Sequence, residues 1–421
     1  MLNQNIKKLK PSATLAINER SAALMAQGKK VYRLGFGQSP FPVPEEVVEA
    51  LRQNAGCKDY LAVRGLLELR EAVAHFNRRK LNIDCDANDI MIGPGSKELI
   101  YDLLLATDAD LLLPSPSWVS YEPQALLANK TVHWIETKEE DNWQLLATNL
   151  EEACQINLNR RKILILNYPN NPTGASYSST ELKALASVAK ANNILVVTDE
   201  IYGELNYKGE HISLASYYPE GTIISSGLSK WCGAGGWRIG TFTFPKEYQW
   251  LLKAMAVIAS ETFTSVSAPI QWASIKAFEG SPDIDRYVID ARKILLAIST
   301  YVYNRLRALN INMPMAQGGF YLFPNFEYFR QRFSNEGLTT STELCDKILT
   351  ETGVALLPGE AFGRPATEWT ARLSFVDFDG GHCLQLLQNQ PNLKLDDAFI
   401  GEHCPNIAAA MDALSEWVEI G

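Results

Sequence analysis

Residues 179–200 read STELKALASVAKANNILVVTDE, a helix-period stretch that runs into a short apolar segment ending on two carboxylates. Through 179–193 the apolar residues recur every three to four positions, as they do on one face of a helix. Through 194–198 they are nearly continuous, so a strand there must be covered on both faces. The apolar run recurs upstream as DIMIG (89–93), DLLLP (110–114), TVHWIE (131–136) and KILILN (162–167), and downstream as TIISS (222–226) and GTFTF (240–244). Another helix-period segment, SKELIYDLLLAT, follows the first of these. Such alternation predicts an α/β architecture, a mostly parallel seven-stranded sheet flanked by helices.

After about residue 290 the pattern changes to a long helical segment (ARKILLAISTYVYNRLRAL), a strand-like GGFYLFPNF, another helix and ARLSFVDF. A smaller α+β domain is expected there. The expected division is a large domain over 46–290 and a small domain made of 1–45 with 291–421.

Composition narrows the function. The 421 residues are 46% hydrophobic, enough for a large core, and 39 basic against 48 acidic residues leave a net charge of −9. That balance argues against nucleic-acid binding and suits a protein handling small molecules. Seven cysteines are scattered without CxxC or Cys/His ligand spacing, which points to reduced thiols and no metal. No apolar run reaches the 18 or so residues of a membrane helix, and the first 30 residues are too polar for a signal peptide. A cytoplasmic protein with no membrane partner is expected.

In sheets of this type ligands sit beyond the carboxyl ends of the strands. Lys230 follows one such end in ISSGLSKWCGAGGWRIG (224–240), with Arg238 eight positions on. An ordinary lysine there turns outward to water; a Schiff-base lysine would use burial and a neighbouring cation to lose its proton. Arg238 supplies a cation and a fork of donors for an anion. The helix opened by Gly95, Ser96 and Lys97 presents free N–H groups to an anion, unless Ser96 is a plain N-cap. Asp199 lies beyond ILVVT with Tyr202 three residues on, and Asn171 beyond KILILN in NNPTG. Asp199 either caps a turn or holds a ring nitrogen protonated; Asn171 and Tyr202 are suited to a ring hydroxyl, though NNPTG also reads as a turn. Trp118 in PSPSWVSYEP is either core or a plate for a flat heteroaromatic ligand. Arg372 sits inside the apolar ARLSFVDF and needs an anion, either a structural carboxylate or that of a substrate.

An amine nucleophile, an anion site, an acid for a ring nitrogen, donors for a ring hydroxyl and an aromatic plate together match pyridoxal 5'-phosphate. In these motifs, from GFGQSPFPVP to ARLSFVDF, the chain resembles the class I/II aminotransferases of the aspartate aminotransferase superfamily, fold type I. The resemblance implies Lys230 as the Schiff-base lysine, with Ser229 and Arg238 at the cofactor phosphate. It also implies Gly95, Ser96 and Lys97 on the phosphate loop and Trp118 stacked on the ring. Asp199 falls at the ring nitrogen, and Tyr202 and Asn171 at the ring oxygen. Gly37 falls on the substrate loop and Arg372 on the α-carboxylate. Tyr60 matches a tyrosine lent to the neighbouring subunit, which implies a homodimer with shared sites. Three positions before the lysine the family often carries a serine, and here stands Gly227.

The implied reaction moves an amino group from an L-amino acid to a 2-oxo acid, 2-oxoglutarate or pyruvate, by ping-pong chemistry. A carbon–sulfur β-lyase or a cyclopropane-carboxylate synthase on the same scaffold is the alternative. Phe320 and Tyr321 in GGFYLFPNF suggest an aromatic or aliphatic side-chain pocket, or simply core.

Overall fold

The computed structural model describes residues 4–7, 9 and 13–420; the remainder of the N-terminal arm assigned to the small domain lies outside the described residues. All seven apolar runs are strands: β1 (Ile90–Gly93), β2 (Asp110–Ser115), β3 (Val132–Glu136), β4 (Lys162–Asn167), β5 (Leu195–Asp199), β6 (Thr222–Gly227) and β7 (Gly240–Thr243). They form one sheet in the order β1-β7-β6-β5-β4-β2-β3. β3, β2, β4, β5 and β6 are mutually parallel, and β7 runs antiparallel to both β6 and β1.

Alternate residues of the inner strands enter different cores, which is why the runs are apolar throughout. Leu111, Leu113, Ile163, Ile165, Leu195 and Val197 pack with Leu99, Leu103 and Met255 on one face. Leu112, Leu164, Leu166 and Val196 pack with Leu150, Leu182 and Leu185 on the other.

Register then lines up the strand ends. Asn167 of β4 pairs with Asp199 of β5, and Asp199 with Ser225 of β6, so three polar residues stand side by side at the carboxyl edge. Beside them Gly93, Gly240 and Gly227 form a row across β1, β7 and β6. A Cβ on Gly240 would strike the backbone of Gly95 and Ser96. The bare row is what allows the helix Ser96–Ala106 to begin directly against the sheet.

The C-terminal part carries a second sheet of three short antiparallel strands, β8 (Tyr321–Leu322), β9 (Leu357–Pro358) and β10 (Ala371–Ser374), in the order β8-β10-β9. The long helical segment read from 291 belongs to a 27-residue helix, Pro282–Ala308. Ser281 caps it by accepting from the Ile284 amide, and Pro282 occupies the first turn, where its missing N–H leaves no bond unmade. GGFYLFPNF contributes only two strand residues, Tyr321 and Leu322.

Candidate active site

The carboxyl edge of the large sheet meets the three-stranded sheet and the loop around Gly37, and the candidate residues converge there. Lys230 follows β6, and its ammonium Nζ donates to the Gly37 carbonyl at 2.5 Å. It lies 5.6 Å from the centroid of the Tyr202 ring and 5.7 Å from that of Phe320. Burial lowers its pKa to about 8, helped by the cations Arg372, Arg238 and Lys97 and opposed by Asp199. The bland reading of an outward-turned lysine does not hold.

Asp199, only 3% exposed, accepts from the Tyr121 hydroxyl at 2.6 Å on Oδ2, while its Oδ1 has contacts at 3.4 Å from Ser225 Oγ and the Ile201 amide. Burial raises its pKa to about 6, with the Tyr121 bond the strongest opposing influence. A buried carboxylate in this state has room for a cationic partner. Turn-capping through the Ile201 amide is the lesser of its contacts. The Tyr202 hydroxyl meets the Tyr321 hydroxyl at 2.9 Å.

Arg372 on β10 is 2% exposed and has no carboxylate partner among the described residues. Its Nη1 donates to Asn171 Oδ1 at 3.1 Å and Nη2 to the Gly35 carbonyl at 2.7 Å, while Nε has no partner. The guanidinium lies against the Tyr321 and Phe362 rings, at 4.7 and 5.2 Å. A buried, incompletely bonded guanidinium with no counter-charge fits a carboxylate supplied from outside. Gly37 stands beside it: a Cβ there would meet the Tyr321 hydroxyl.

The NNPTG turn divides its labour. Asn170 Oδ1 accepts from the Thr173 amide and hydroxyl and builds the turn; Asn167 Oδ1 accepts from the Asn171 amide at 2.7 Å. Asn171 is thereby presented to Arg372 and keeps its own NH2 for another acceptor.

At the other end of the edge, Gly95 has φ +91 and directly faces Arg238, whose Nη2 donates to the Pro94 carbonyl at 3.2 Å. A side chain at 95 would fill the space the guanidinium occupies. Ser96 does not cap its helix: the N-cap position is Gly95 and no side chain bonds to the first turn. Backbone N–H groups, Ser96 and Arg238 thus form a cradle for an anion. Ser229 lies beside Gly235 on the way to Arg238. Lys97 Nζ sits 4.9 Å over the Trp118 ring, and burial with Arg238 nearby lowers its pKa. Trp118 packs edge-on against Tyr121 at 5.2 Å, which ties the aromatic plate to the Asp199 end.

Tyr60 is not brought to this cluster; it is 90% exposed. One participant, Tyr121, was not singled out from sequence, and Tyr321 was read only as side-chain pocket or core. Tyr121 stands three residues after Trp118, a spacing that puts both near one helix start. Tyr321 proves to be a contact of Tyr202, Gly37 and Arg372 at once.

The residues fit pyridoxal 5'-phosphate at both ends: an amine with lowered pKa and a buried acid at one, and at the other a cradle a Cβ would fill.

The family description "Aminotransferase class I and II" matches residues 29–377. The aspartate aminotransferase of Geobacillus stearothermophilus is 34% identical over 385 residues, 89% of this chain and 94% of its own. An asparagine–oxo-acid transaminase of Streptococcus mutans is 31% identical over a similar span, 89% and 94%. The Thermus thermophilus aspartate aminotransferase, solved with maleate, superposes with a TM-score of 0.85 at 28% identity, covering 99% of both chains.

Proposed function

We propose that this chain, which belongs to the class I and II aminotransferase family, uses L-aspartate as amino donor and 2-oxoglutarate as acceptor. As a member of that family it is a pyridoxal-5'-phosphate-dependent transaminase, and the lyase and synthase alternatives are set aside. The names of its relatives, and the dicarboxylate maleate in the Thermus structure, support the choice of aspartate.

The observation that carries the site assignment is Arg372, buried without a counter-charge next to the Gly37 loop. It grips the α-carboxylate and so orients the substrate. Lys230, with a pKa near 8, is partly unprotonated at neutral pH; it acts as nucleophile and then moves the α-proton as base and acid. The cofactor, when bound, supplies an electrophilic aldehyde and an electron-withdrawing ring. Asp199 would hold a proton on the ring nitrogen, Asn171 and Tyr202 would donate to the ring oxygen, and Trp118 would cover the ring. Gly95, Ser96, Lys97, Ser229 and Arg238 would hold the phosphate.

Tyr60, exposed in the single chain, completes the phosphate site of a second copy, so the working unit is a homodimer. Among the described residues no helix is long and apolar enough to cross a membrane. The scattered free cysteines support a reducing compartment, the cytoplasm.

The test is a panel of single amino acids with 2-oxoglutarate, measuring glutamate and the cognate 2-oxo acid. Aspartate should give the highest kcat/KM. An aromatic or aliphatic donor exceeding it by more than about tenfold, some 1.4 kcal/mol of transition-state binding, would sink the donor assignment.

A further inference from the structure

The family match ends at residue 377, and the chain continues through helices Gly380–Asn389, Asp397–His403 and Pro405–Ile420. In this extension the dipeptide His-Cys occurs twice, as His382-Cys383 and His403-Cys404. Folding sets one copy against the other. His382 Nε2 and His403 Nδ1 lie 3.3 Å apart, and the two sulfurs, both fully buried, lie 4.0 Å apart. All seven cysteines are free thiols, and the other five make no sulfur–sulfur contact of this kind. Among the described residues no three His, Cys, Asp or Glu side chains converge as a metal site, so the pair is not half of a zinc centre.

We propose that Cys383 and Cys404 are a modification site, a dithiol that hydrogen peroxide oxidises to an intrachain disulfide, with Cys383 attacking and Cys404 resolving. The contact between the two sulfurs, with one thiol turned toward the other, distinguishes them. Cys383 is the fourth residue of its helix, near the positive dipole end, with its own amide bonded to the Asp379 carbonyl and the His382 amide to the Asp379 carboxylate. Cys404 lies between the end of the seven-residue helix Asp397–His403 and the start of Pro405–Ile420, whose Ile407 and Ala408 amides donate to its carbonyl, so a negative and a positive helix end meet there. The Cys404 thiol can donate to Cys383, which lowers the pKa of Cys383 and raises that of Cys404; burial and Asp379 act against the Cys383 thiolate.

The chemistry balances. The Cys383 thiolate attacks one peroxide oxygen, the O–O bond breaks, and the departing hydroxide takes up a proton, leaving a sulfenic acid and one water. The Cys404 sulfur then attacks the Cys383 sulfur, expelling hydroxide, which leaves as the second water with the Cys404 proton. Two thiols lose two electrons and two protons, and one peroxide becomes two waters. Because both sulfurs are closed off from bulk water, the reaction waits on opening of the first turn at Gly380–Cys383. The link would tie together two residues 21 positions apart and restrict the unfolded chain.

The test is to treat the reduced holoenzyme with hydrogen peroxide, count thiols after denaturation and map peptides without reduction. The expected result is loss of two of the seven thiols, one Cys383–Cys404 peptide, and recovery of both thiols with dithiothreitol. Thermal unfolding should shift upward on oxidation of the wild type and not of Cys404→Ser. Cys404→Ser should stop at a dimedone-reactive sulfenic acid on Cys383. Should that variant not fold, the wild-type peptide map decides alone. Oxidation confined to the partly exposed Cys57, or Cys383 passing to sulfinic acid with no link to Cys404, would overturn the proposal.

Discussion

The Tyr121 hydroxyl donates to Asp199 Oδ2 at 2.6 Å, deep behind the edge where Lys230 emerges. The bond fixes one carboxylate oxygen and leaves Oδ1 with only the two 3.4 Å contacts, the oxygen that in the proposed site would meet the cofactor's ring nitrogen. Tyr121 is therefore a positioning residue that also holds down the pKa of Asp199 against burial. Tyr121→Phe keeps the ring and its edge-on contact with Trp118 and removes only the bond. A hydrogen bond to a charged group contributes about 1.5–3 kcal/mol, so kcat should fall roughly 10- to 100-fold with little change in KM. The pH titration of the bound cofactor's visible absorbance should move as well. An unchanged titration together with unchanged kcat would show that the bond is only structural.

Asp102 lies on the helix Ser96–Ala106, 1% exposed, with no hydrogen-bond partner for either oxygen among the described residues. Burial, and then Glu98, push its pKa up to about 7. The folded value is above the unfolded one, so the native state binds the proton more tightly. Its contribution to stability is present in full below about pH 4 and is lost as pH rises through about 7. Asp102→Asn, neutral at every pH, should flatten that part of the profile and stabilise the protein at pH 8 by on the order of 1–3 kcal/mol. Thermal unfolding at pH 5 and pH 8 checks it; an equal effect at both would mean that the carboxyl is not titrating between them.

The large sheet was legible because helices cover both of its faces, which forces whole strands such as KILILN to be apolar. β9 was not, because two strand residues give no periodicity to read. Lys230, Asp199 and Arg372 were legible as charges that follow or interrupt apolar runs, where burial needs a reason. Tyr121 carries no such mark: a tyrosine in a core is ordinary, and its partner is 78 positions away. Arg372 could be read either as a structural ion pair or as a substrate grip, and what favours the second is that no carboxylate pairs with it among the described residues.

Mixing two damaged subunits tests the proposed sharing of sites. Lys230→Ala removes the nucleophile and Tyr60→Ala the side chain that is 90% exposed in the single chain. In a mixed dimer one site carries both lesions and the other neither. Random reassortment of equal amounts should restore about a quarter of wild-type activity per subunit, half the dimers being mixed with one intact site each. Activity equal to the average of the two parents would place Tyr60 outside the partner's site.

Gly227 stands where the family often carries a serine, three positions before Lys230. The sheet register supplies the reason. Gly227 pairs with Gly240, and a Cβ at 227 would overlap the Ile239 carbonyl oxygen and approach the Gly240 Cα at 3.2 Å. Both obstacles are backbone, so neither can turn aside as a flexible side chain would. Relief would require β6 and β7 to separate, and Gly240 is pressed in turn against the Ser96 amide. Gly227→Ser should therefore destabilise the enzyme by about 1–3 kcal/mol, as overpacking does, and weaken cofactor retention, because the displaced strand carries both Lys230 and the chain leading to Arg238. Gly227→Ala separates the two effects of the serine, since it brings the same Cβ without the hydroxyl. If the Cβ decides, both variants lose stability and cofactor to a similar extent. Tighter cofactor binding by Gly227→Ser than by wild type, measured by equilibrium dialysis against free pyridoxal phosphate, would show that the hydroxyl is accommodated and the steric account is wrong.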